Sequence, residues 1–444
     1  MELFEYTATE LSRMIVKHEV SSEEIVQCFL KRIESVNHHI NAAVQIFAED
    51  ALLAAREADS IRHPSKPLHG IPFTAKDVFE VAGKISSAGI MERKDFRPAE
   101  TAIAVKRLID AGGILLAKSN CPPGGAGGES DNPVYGRTLN PFKLSRTPGG
   151  SSGGEAALVS ARASSLGLGS DSGGSLRFPA HCCGVYSFKP TTGRVPNIGA
   201  YEHLGGLTDP RTQIGTIARS VEDLELAYGI LAGPDPRDTG TFPVPVTSSA
   251  SATTKLEQMG SNGKGLRVLY FGSDNDLHPT LETIKAVNKV AELLRSLPYM
   301  QLLSEGAPPY CPKKSLDITQ RYWQSSDLSG LDRDKLITDW DCFRTSLALE
   351  FQKWDIVVGP VCATPAPEHG TVTAATWGST FQYTLAYSLL GCPCLVVPAG
   401  MSPEGLPIGV QLAAAPWNED ILLAIGLMLQ QYLGTGPIPS LLKP

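Results

Sequence analysis

The sequence predicts an α/β protein whose β-sheet is covered by α-helices on both faces. Apolar residues recur at helical spacing near the N-terminus. From residue 68 onward, short apolar runs punctuated by glycine alternate with helix-like stretches. Such runs are typical of buried strands, and their alternation with helices is typical of layered α/β folds. The chain of 444 residues is long enough for this fold, and we expect a single domain over residues 1–444.

Residues 1–62 are predicted to be mainly helical. Thr7 with Glu10, and Ser21 with Glu24, each fit a capping box, in which a hydroxyl and a carboxylate satisfy free amides at the start of a helix. A third helix is predicted in the run AEDALLAAREADS. An apolar stripe at helical spacing follows the second box and consists of Ile25, Val26, Phe29, Ile33 and Val36.

Residues 63–240 hold the runs that predict the central strands, GIPFTAKDVF, GGILLAKSN and SSLGLGSDSGGS. Helix-like stretches lie between them at 102–111 and 155–161. Ser220 and Asp223 mark the start of a further capped helix.

Residues 243–264 are low in large apolar residues and rich in Ser, Thr, Ala and Pro, which predicts a long surface loop. Residues 265–444 are expected to complete the sheet. They contain a strand in LRVLYFG, a helix over 278–297, core strands in DIVVGPV, CPCLVVPAG and PIGVQLAA, and a final helix from Asn418.

The composition excludes several classes of protein. The net charge of -7 arises from 46 acidic and 39 basic residues without long single-sign runs, which argues against nucleic-acid binding. No apolar run is long enough to span a bilayer and no secretory signal is visible, so we expect a cytoplasmic protein without a membrane partner. The nine cysteines are scattered without metal-ligand spacing. We therefore expect buried thiols and no metal or cofactor.

Glycine and serine are concentrated in two blocks. The first, TPGGSSGGE, contains Ser151 and Ser152, and the second, GLGSDSGGS, ends on Ser175. Either block alone is most simply a tight turn. Two such turns, each followed by a predicted helix, also fit a catalytic site. The second can direct successive N–H groups toward one point, as an oxyanion hole requires.

The base that would activate a serine is not obvious from these blocks. Gly149–Gly153 matches G-x-S-x-G, a motif that requires a downstream histidine, and none of His203, His278 and His369 has a distinctive setting. A phosphate loop fits worse, because no Gly-Lys-Ser/Thr closes either turn. The alternative is Lys76 at the end of an apolar run, although a lone lysine usually lies at the surface.

The stretch from His69 to Arg194 resembles the amidase signature family, which includes amidases, aryl acylamidases and urethanases. GIPFTAKDVF resembles its lysine segment, TPGGSSGGEAALV its glycine-serine segment, and GLGSDSGGSLRFPAHCCG its nucleophile segment. The resemblance covers most of the chain and is weakest at residues 240–350. It implies a large, mixed, twisted sheet sandwiched between α-helices.

The resemblance also implies a Ser-Ser-Lys triad. Ser175 would be the nucleophile, Ser151 the bridging serine at a cis peptide bond, and Lys76 the base. Burial of Lys76 would favour the uncharged amine that a base requires. The oxyanion would be bound by the backbone N–H groups of Ser172, Gly173, Gly174 and Ser175.

Other residues are expected to support this site. Asp171 and Arg177 flank the nucleophile turn and are predicted to form a pair that holds it rigid. Ser152 is predicted to support Ser151 by hydrogen bonding.

The segment after AKSN, which is expected to lie near the substrate, departs from the family pattern. After AKSN the family commonly has an acidic and an aromatic residue, whereas this chain has a run of Pro and Gly. This loss of bulk predicts a more open pocket, with Cys121, Gly125 and Gly127 as candidate substrate contacts. Residues 310–350 either shape the entrance or pack in the core, and their aromatic side chains include Tyr322, Trp323 and Trp340.

The expected function is hydrolysis of small-molecule amides through an acyl-enzyme, without a cofactor. Carbamates (urethanes) and esters are possible substrates, because they pass through a comparable tetrahedral intermediate. The alternative is the glutamine-hydrolysing subunit of an amidotransferase, and Arg162, Arg211 and Arg321 keep that alternative open. A scaffold without activity is disfavoured, since all three catalytic positions are intact. A homodimer is expected by analogy with the family.

Overall fold

A computed structural model describes residues 2–201, 210–261, 265–274, 276–324 and 328–440. The α-helices of these residues are α1 (Ala8–Val16), α2 (Ser22–Ile40), α3 (Ala48–Asp59), α4 (Ile103–Asp110), α5 (Gly153–Ser160), α6 (Arg177–Cys183), α7 (Val221–Leu231), α8 (Ser249–Ser261), α9 (Leu281–Arg295), α10 (Pro312–Trp323), α11 (Gly330–Glu350), α12 (Trp377–Leu390) and α13 (Glu419–Leu433).

The β-strands of the described residues are β1 (Ala43–Ile46), β2 (Pro72–Lys76), β3 (Ile114–Ser119), β4 (Asp131–Asn132), β5 (Gly136–Arg137), β6 (Leu166–Asp171), β7 (Tyr186–Lys189), β8 (Gln213–Ala218), β9 (Leu266–Tyr270), β10 (Met300–Glu305), β11 (Ile356–Pro360), β12 (Cys394–Met401) and β13 (Pro407–Ala413).

Eleven of these strands form one mixed sheet in the order β1-β3-β2-β6-β8-β7-β12-β13-β11-β9-β10. The pairs β3–β2–β6 and β11–β9–β10 are parallel, whereas the strands between β6 and β11 pair antiparallel. Strands β4 and β5 form a separate small hairpin. The predicted α/β class with a large mixed sheet flanked by helices is confirmed.

The N-terminal helices begin where the sequence indicated. Both capping boxes are present, with Thr7 and Glu10 at the start of α1, and Ser21 and Glu24 at the start of α2. The helices are followed by an edge strand, β1, which the sequence analysis did not predict. It pairs antiparallel with β3, so this segment belongs to the main sheet.

Strands β2 and β6 position the candidate site. They are parallel neighbours, so their carboxyl ends lie at the same edge of the sheet. Strand β2 ends at Lys76 and β6 ends at Asp171. Both strands are buried along their whole length. Residues at these two strand ends therefore face each other in the interior rather than at the surface.

The predicted surface loop over 243–264 is wrong for its central part, because Ser249–Ser261 form helix α8. Ala252 and Leu256 lie one helical turn apart and are buried, and α8 packs against α13. Two apolar residues at this spacing are enough to attach the helix to the core. The overall shortage of large apolar residues concealed this pattern.

Two general properties of the described residues complete the fold. None of the helices in these ranges combines the length and the apolarity needed to cross a membrane. All nine cysteines are free thiols, and six of them are buried.

We predict that Leu256→Ala lowers the free energy of unfolding by about 2–5 kcal/mol, because it removes a side chain buried between α8 and the core. Chemical denaturation measures the effect. Thr254→Ala, on the exposed face of the same helix, is the matched control and should cause little change. Equal, small effects of the two substitutions would contradict the packing of α8.

Candidate active site

Lys76 and Ser151 are in direct contact inside the protein. Lys76 is fully buried at the end of β2, and its Nζ donates a hydrogen bond of 2.7 Å to Ser151 Oγ. A second hydrogen bond of 2.8 Å runs from Nζ to Ser170 Oγ on β6. The parallel pairing of β2 and β6 thus brings the predicted base to two hydroxyls. The possibility that Lys76 lies at the surface is excluded.

Ser151 lies in a turn that glycine makes possible. The Gly150–Ser151 peptide bond is cis, as the resemblance implied. A Cβ atom at Gly150 would lie 2.6 Å from the carbonyl oxygen of Gly127 and 2.8 Å from the backbone nitrogen of Glu129. Because the two backbones touch here, a side chain at position 150 has no room.

Ser152 does not support Ser151 in the way the sequence predicted. Its hydroxyl donates to the carbonyl oxygen of Ser170 at 3.2 Å and accepts from the N–H of Ser170 at 3.4 Å. The prediction of a hydrogen bond to Ser151 is therefore wrong. Ser152 instead joins the first glycine-serine turn to the end of β6. Its N–H also donates to the carbonyl oxygen of Ser175 at 3.1 Å, which links the two turns directly.

Ser175 is partly exposed in the turn between β6 and α6. The turn is held by Asp171, whose carboxylate accepts hydrogen bonds from the N–H groups of Gly174 at 2.7 Å and Leu176 at 3.1 Å. The predicted set of oxyanion donors is thus wrong for Gly174, since its N–H is already donated to Asp171.

The remaining amides of the predicted set are available. Within the described part of the chain, no group accepts a hydrogen bond from the N–H of Ser172, Gly173 or Ser175. The Gly173 carbonyl oxygen accepts a hydrogen bond from Thr384, which fixes the orientation of the following peptide. Unpaired N–H groups beside a serine hydroxyl are the arrangement that stabilises a developing oxyanion.

The predicted pair of Asp171 and Arg177 is present and fully buried. The guanidinium donates to Asp171 through Nε at 3.0 Å and through Nη2 at 2.9 Å. Burial by itself would raise the pKa of the Asp171 carboxyl, but the charge and N–H donors of Arg177 hold it below its usual value. The pair is therefore ionised, and its two-point contact suits a structural role.

One wall of the site is aromatic and apolar. The side chain of Trp323 is 49% exposed, and its ring atoms lie 3.8–3.9 Å from the place a Cβ of Gly173 would occupy. Its ring packs on that of Trp377, with centroids 4.7 Å apart. Leu385 also approaches Gly173, and Phe381 approaches Gly174, and both side chains are buried.

The three aromatic residues singled out in 310–350 have different environments. Trp323 faces the nucleophile turn, whereas Trp340 is buried in an apolar cluster and donates its indole N–H to a backbone carbonyl. Tyr322 packs edge-on against Trp340 and covers the guanidinium of Arg211, which is 4.0 Å from the Tyr322 ring centroid and 5.2 Å from that of Trp323. The core interpretation is thus right for Trp340, whereas the entrance interpretation stays a prediction for Trp323.

Of the three candidate substrate contacts, Gly127 adjoins the Ser151 turn, Gly125 lies in a neighbouring stretch of the chain and Cys121 is in the core. Gly127 is exposed and touches the Ser151 turn at Gly150, and Gly125 is half-buried in a short 3-10 turn over Pro123–Gly125. Cys121 is fully buried in the main apolar cluster. A role for these three residues in substrate binding stays a prediction.

A family model described as Amidase matches residues 24–311 and 333–423. The chain belongs to the amidase family. It is 29% identical to the A subunit of the glutamyl-tRNA(Gln) amidotransferase of Oleidesulfovibrio alaskensis, over 99% of this chain and 100% of that protein. It is 30% identical to an acylamidase of Rhodococcus erythropolis, over 94% of this chain and 93% of that protein.

Solved structures of amidase-family enzymes have the same fold. A 6-aminohexanoate cyclic dimer hydrolase complexed with substrate superposes with a TM-score of 0.85 at 25% identity and covers 100% of both chains. The family resemblance inferred from the signature segments is thus confirmed. The relatives act on different molecules, so membership alone does not identify the substrate.

The histidine alternative finds no support in this amidase. His369 contacts Glu129 and the carbonyl oxygen of Leu144 rather than the serines of the site. His203 lies outside the described residues. Among the described hydrogen bonds of Ser151, the partner that can act as a base is Lys76.

Two polar residues of the site were missed in the sequence analysis. Ser170 binds Lys76, and its place directly before Asp171 in the second glycine-serine block was a usable signal. Glu155 is fully buried on the first turn of α5, four residues after Ser151. It was passed over because a glutamate near the start of a helix usually faces solvent.

We predict that Arg177→Met lowers the free energy of unfolding by about 3–5 kcal/mol, because it leaves the carboxylate of Asp171 buried without its partner. Urea denaturation measures the change. The matched control is Arg237→Met, since Arg237 pairs with Asp235 at the surface and its loss should have little effect. A similar, small change in both variants would show that the buried pair does not stabilise the fold.

Proposed function

We propose that this amidase-family enzyme hydrolyses C–N bonds of small-molecule amides through a Ser175–Ser151–Lys76 triad. The hydrogen bond between Lys76 Nζ and Ser151 Oγ, inside a buried site, carries the proposal. Supporting it are the partly exposed hydroxyl of Ser175 and the three available N–H groups of the same turn.

The proposed reaction moves a proton from Ser175 through Ser151 to Lys76. Ser175 Oγ attacks the amide carbon while its proton passes to Ser151 Oγ, and the proton of Ser151 passes to Lys76 Nζ. The N–H groups of Ser172, Gly173 and Ser175 stabilise the oxyanion, and loss of one such donor costs about 3 kcal/mol of transition-state stabilisation. Return of the proton to the leaving nitrogen breaks the C–N bond and leaves an acyl-enzyme.

Water completes the cycle. It attacks the acyl carbon, its proton passes along the same hydroxyl to Lys76, and return of the proton to Ser175 releases the carboxylic acid. Carbamates and esters fit the same scheme, because only the leaving group or the acyl substituent differs. No cofactor takes part in any step.

The second candidate is the glutamine-hydrolysing subunit of an amidotransferase. It is favoured by the similarity of the whole chain to amidotransferase A subunits. The apolar wall of Trp323, Phe381 and Leu385 argues against it. Glutamine carries an ammonium and a carboxylate, which are costly to bury against such a wall without charged partners.

Two of the three candidate arginines for a glutamine carboxylate are engaged by other groups of the protein. Arg321 pairs with Asp317 and Asp339 at 2.8 Å each. Arg162 donates to the carbonyl oxygen of Glu5. Arg211 is the exception, because its guanidinium stacks on Tyr322 at 4.0 Å and also on Trp323 of the wall, at 5.2 Å from the ring centroid. We therefore prefer an uncharged amide or carbamate as substrate. We also propose that the protein is a cytoplasmic homodimer, and this part of the proposal is supported only by the sequence and the analogy with the family.

We predict that Ser175→Ala and Lys76→Ala each lower kcat/KM by at least about 1,000-fold, since the groups of a triad act as a unit. An anilide, an aliphatic amide, an aryl carbamate, an ester and glutamine form the substrate panel. His369→Ala is the matched control and should keep wild-type activity. Turnover of glutamine alone, or full activity of either triad variant, would refute the proposal.

We further predict that Trp323→Ala raises KM for an anilide by about three- to tenfold, because an aryl group loses its contact with the exposed ring. KM for acetamide should stay unchanged. Tyr432→Ala removes an aromatic ring that is 60% exposed on α13 and serves as the control. Equal changes for anilide and acetamide would exclude Trp323 from substrate selection.

A further inference from the structure

Ser130 carries a buried hydroxyl group that the triad scheme does not use. It lies directly before β4, and its side chain is buried. Its carbonyl oxygen accepts a hydrogen bond of 2.9 Å from the N–H of Thr138, the residue directly after β5. The small hairpin thus holds the backbone of Ser130 independently of its side chain.

The hydroxyl of Ser130 spans the turn that contains Ser151. It donates a hydrogen bond of 3.1 Å to the carbonyl oxygen of Gly149 and accepts one of 3.0 Å from the N–H of Gly153. Gly149 precedes Ser151 by two positions and Gly153 follows it by two. The carbonyl oxygen of Ser151 itself is 3.5 Å from the same hydroxyl. One hydroxyl therefore connects both sides of the turn.

A serine suits this bridge. A hydroxyl has one hydrogen to donate and lone pairs that accept, so it satisfies a carbonyl oxygen and an N–H group at once. Its close approach requires glycine at position 153, because a Cβ there would lie 2.5 Å from Ser130 Oγ. Both glycines are buried, and in the described part of the chain their bridging groups bond to Ser130. Without the hydroxyl, a buried carbonyl and a buried N–H would lack a partner.

The residue before Ser130 anchors the same segment to another part of the chain. The carboxylate of Glu129 accepts hydrogen bonds from the N–H groups of Gly370 at 2.7 Å and Val372 at 3.3 Å. These anchors do not involve the side chain of Ser130. A change of that side chain to alanine therefore removes the bridge while the anchors of the segment remain.

The place of Ser151 Oγ follows from the backbone of its turn. That hydroxyl is within 2.7 Å of Lys76 Nζ, and such a contact is lost when the turn moves by a fraction of its length. A misplacement of about 1 Å in a catalytic site can lower the rate by about 100-fold. The bridge across the turn is thus coupled to proton transfer.

We propose that Ser130 is a positioning residue for Ser151, and that its hydroxyl holds the two sides of the turn so that Ser151 stays within reach of Lys76. Ser130 itself contacts neither substrate nor the proton that moves. This inference rests on the proposed role of Ser151 in proton transfer.

The consequence differs between two kinds of substrate. In the proposed reaction, Ser151 passes a proton to the leaving nitrogen of an amide while the C–N bond breaks, because an amine is a poor leaving group as an anion. A p-nitrophenolate leaves as an anion, so the C–O bond of a p-nitrophenyl ester breaks without that proton. Misplacement of Ser151 should therefore slow an amide more than such an ester.

The test compares kcat/KM for an anilide and for the p-nitrophenyl ester of the same acid. We expect Ser130→Ala to lower kcat/KM for the anilide by about 10- to 100-fold, and the anilide-to-ester ratio by at least about fivefold. The ratio is the decisive quantity, because a loss of folded protein lowers both rates equally. A merely structural role of Ser130 would leave it unchanged.

Two control variants accompany Ser130→Ala. Ser165→Ala removes another buried hydroxyl, which donates to the carbonyl oxygen of Pro72 at the start of β2, and should leave the ratio unchanged. Thr384→Val removes the hydroxyl that binds the carbonyl oxygen of Gly173 in the nucleophile turn. It should slow the anilide and the ester equally, because both reactions form an oxyanion.

An unchanged ratio in Ser130→Ala, with or without a fall in activity, would overturn the inference, since Ser130 would then not act through Ser151. An equal fall of the ratio in Ser165→Ala would overturn it as well. Anilide activity that survives Lys76→Ala or Ser175→Ala would instead refute the proposed function. The two failures are therefore distinct.

Discussion

The buried pair of Asp171 and Arg177 is the interaction on which the geometry of the candidate site depends. Asp171 accepts N–H groups of the nucleophile turn, while Arg177 also donates to the carbonyl oxygen of Thr384 at 2.9 Å and to Ser388 Oγ at 2.7 Å. One pair thus joins β6 and α6 to α12, which lies more than 200 residues further along the chain. Because both charges lie away from water, each holds the other in place.

The rest of the site is built by close backbone contacts around this pair. The cis turn at Ser151 touches the backbone near Gly127, and the start of α5 is equally close to Asn120, so glycine is required at Gly150 and Gly154. From β2, Lys76 contacts Ser151 in the first turn and Ser170 at the end of β6. Lys76 and Ser151 are therefore both buried, and their contact is fixed by the surrounding backbone.

The apolar wall beside the nucleophile turn comes from other parts of the chain than Lys76 and the serines. The wall beside the nucleophile turn comes from α10 and α12, through Trp323, Trp377, Phe381 and Leu385. Helix α10 lies in the region where the resemblance to the family is weakest. The relatives of this chain include an amidotransferase subunit, an acylamidase and a cyclic dimer hydrolase, so one fold serves different substrates in this family.

The sequence by itself determined the α/β class and the capped helices α1 and α2, and it indicated Lys76, Ser151 and Ser175 as the candidate triad, of which the structure brings Lys76 and Ser151 into contact. Capping, periodicity and signature segments are local along the chain, so they can be read without a structure. Helix α8, the partner of Ser152 and the engagement of the Gly174 N–H were decided only by the tertiary structure. So was the burial of Glu155, whose partner Thr74 is 81 residues away. Each of these features depends on which distant segment of the chain packs against a given polar group or apolar face. Once a polar group is buried it must have a partner, because an unpaired polar group in the interior is costly.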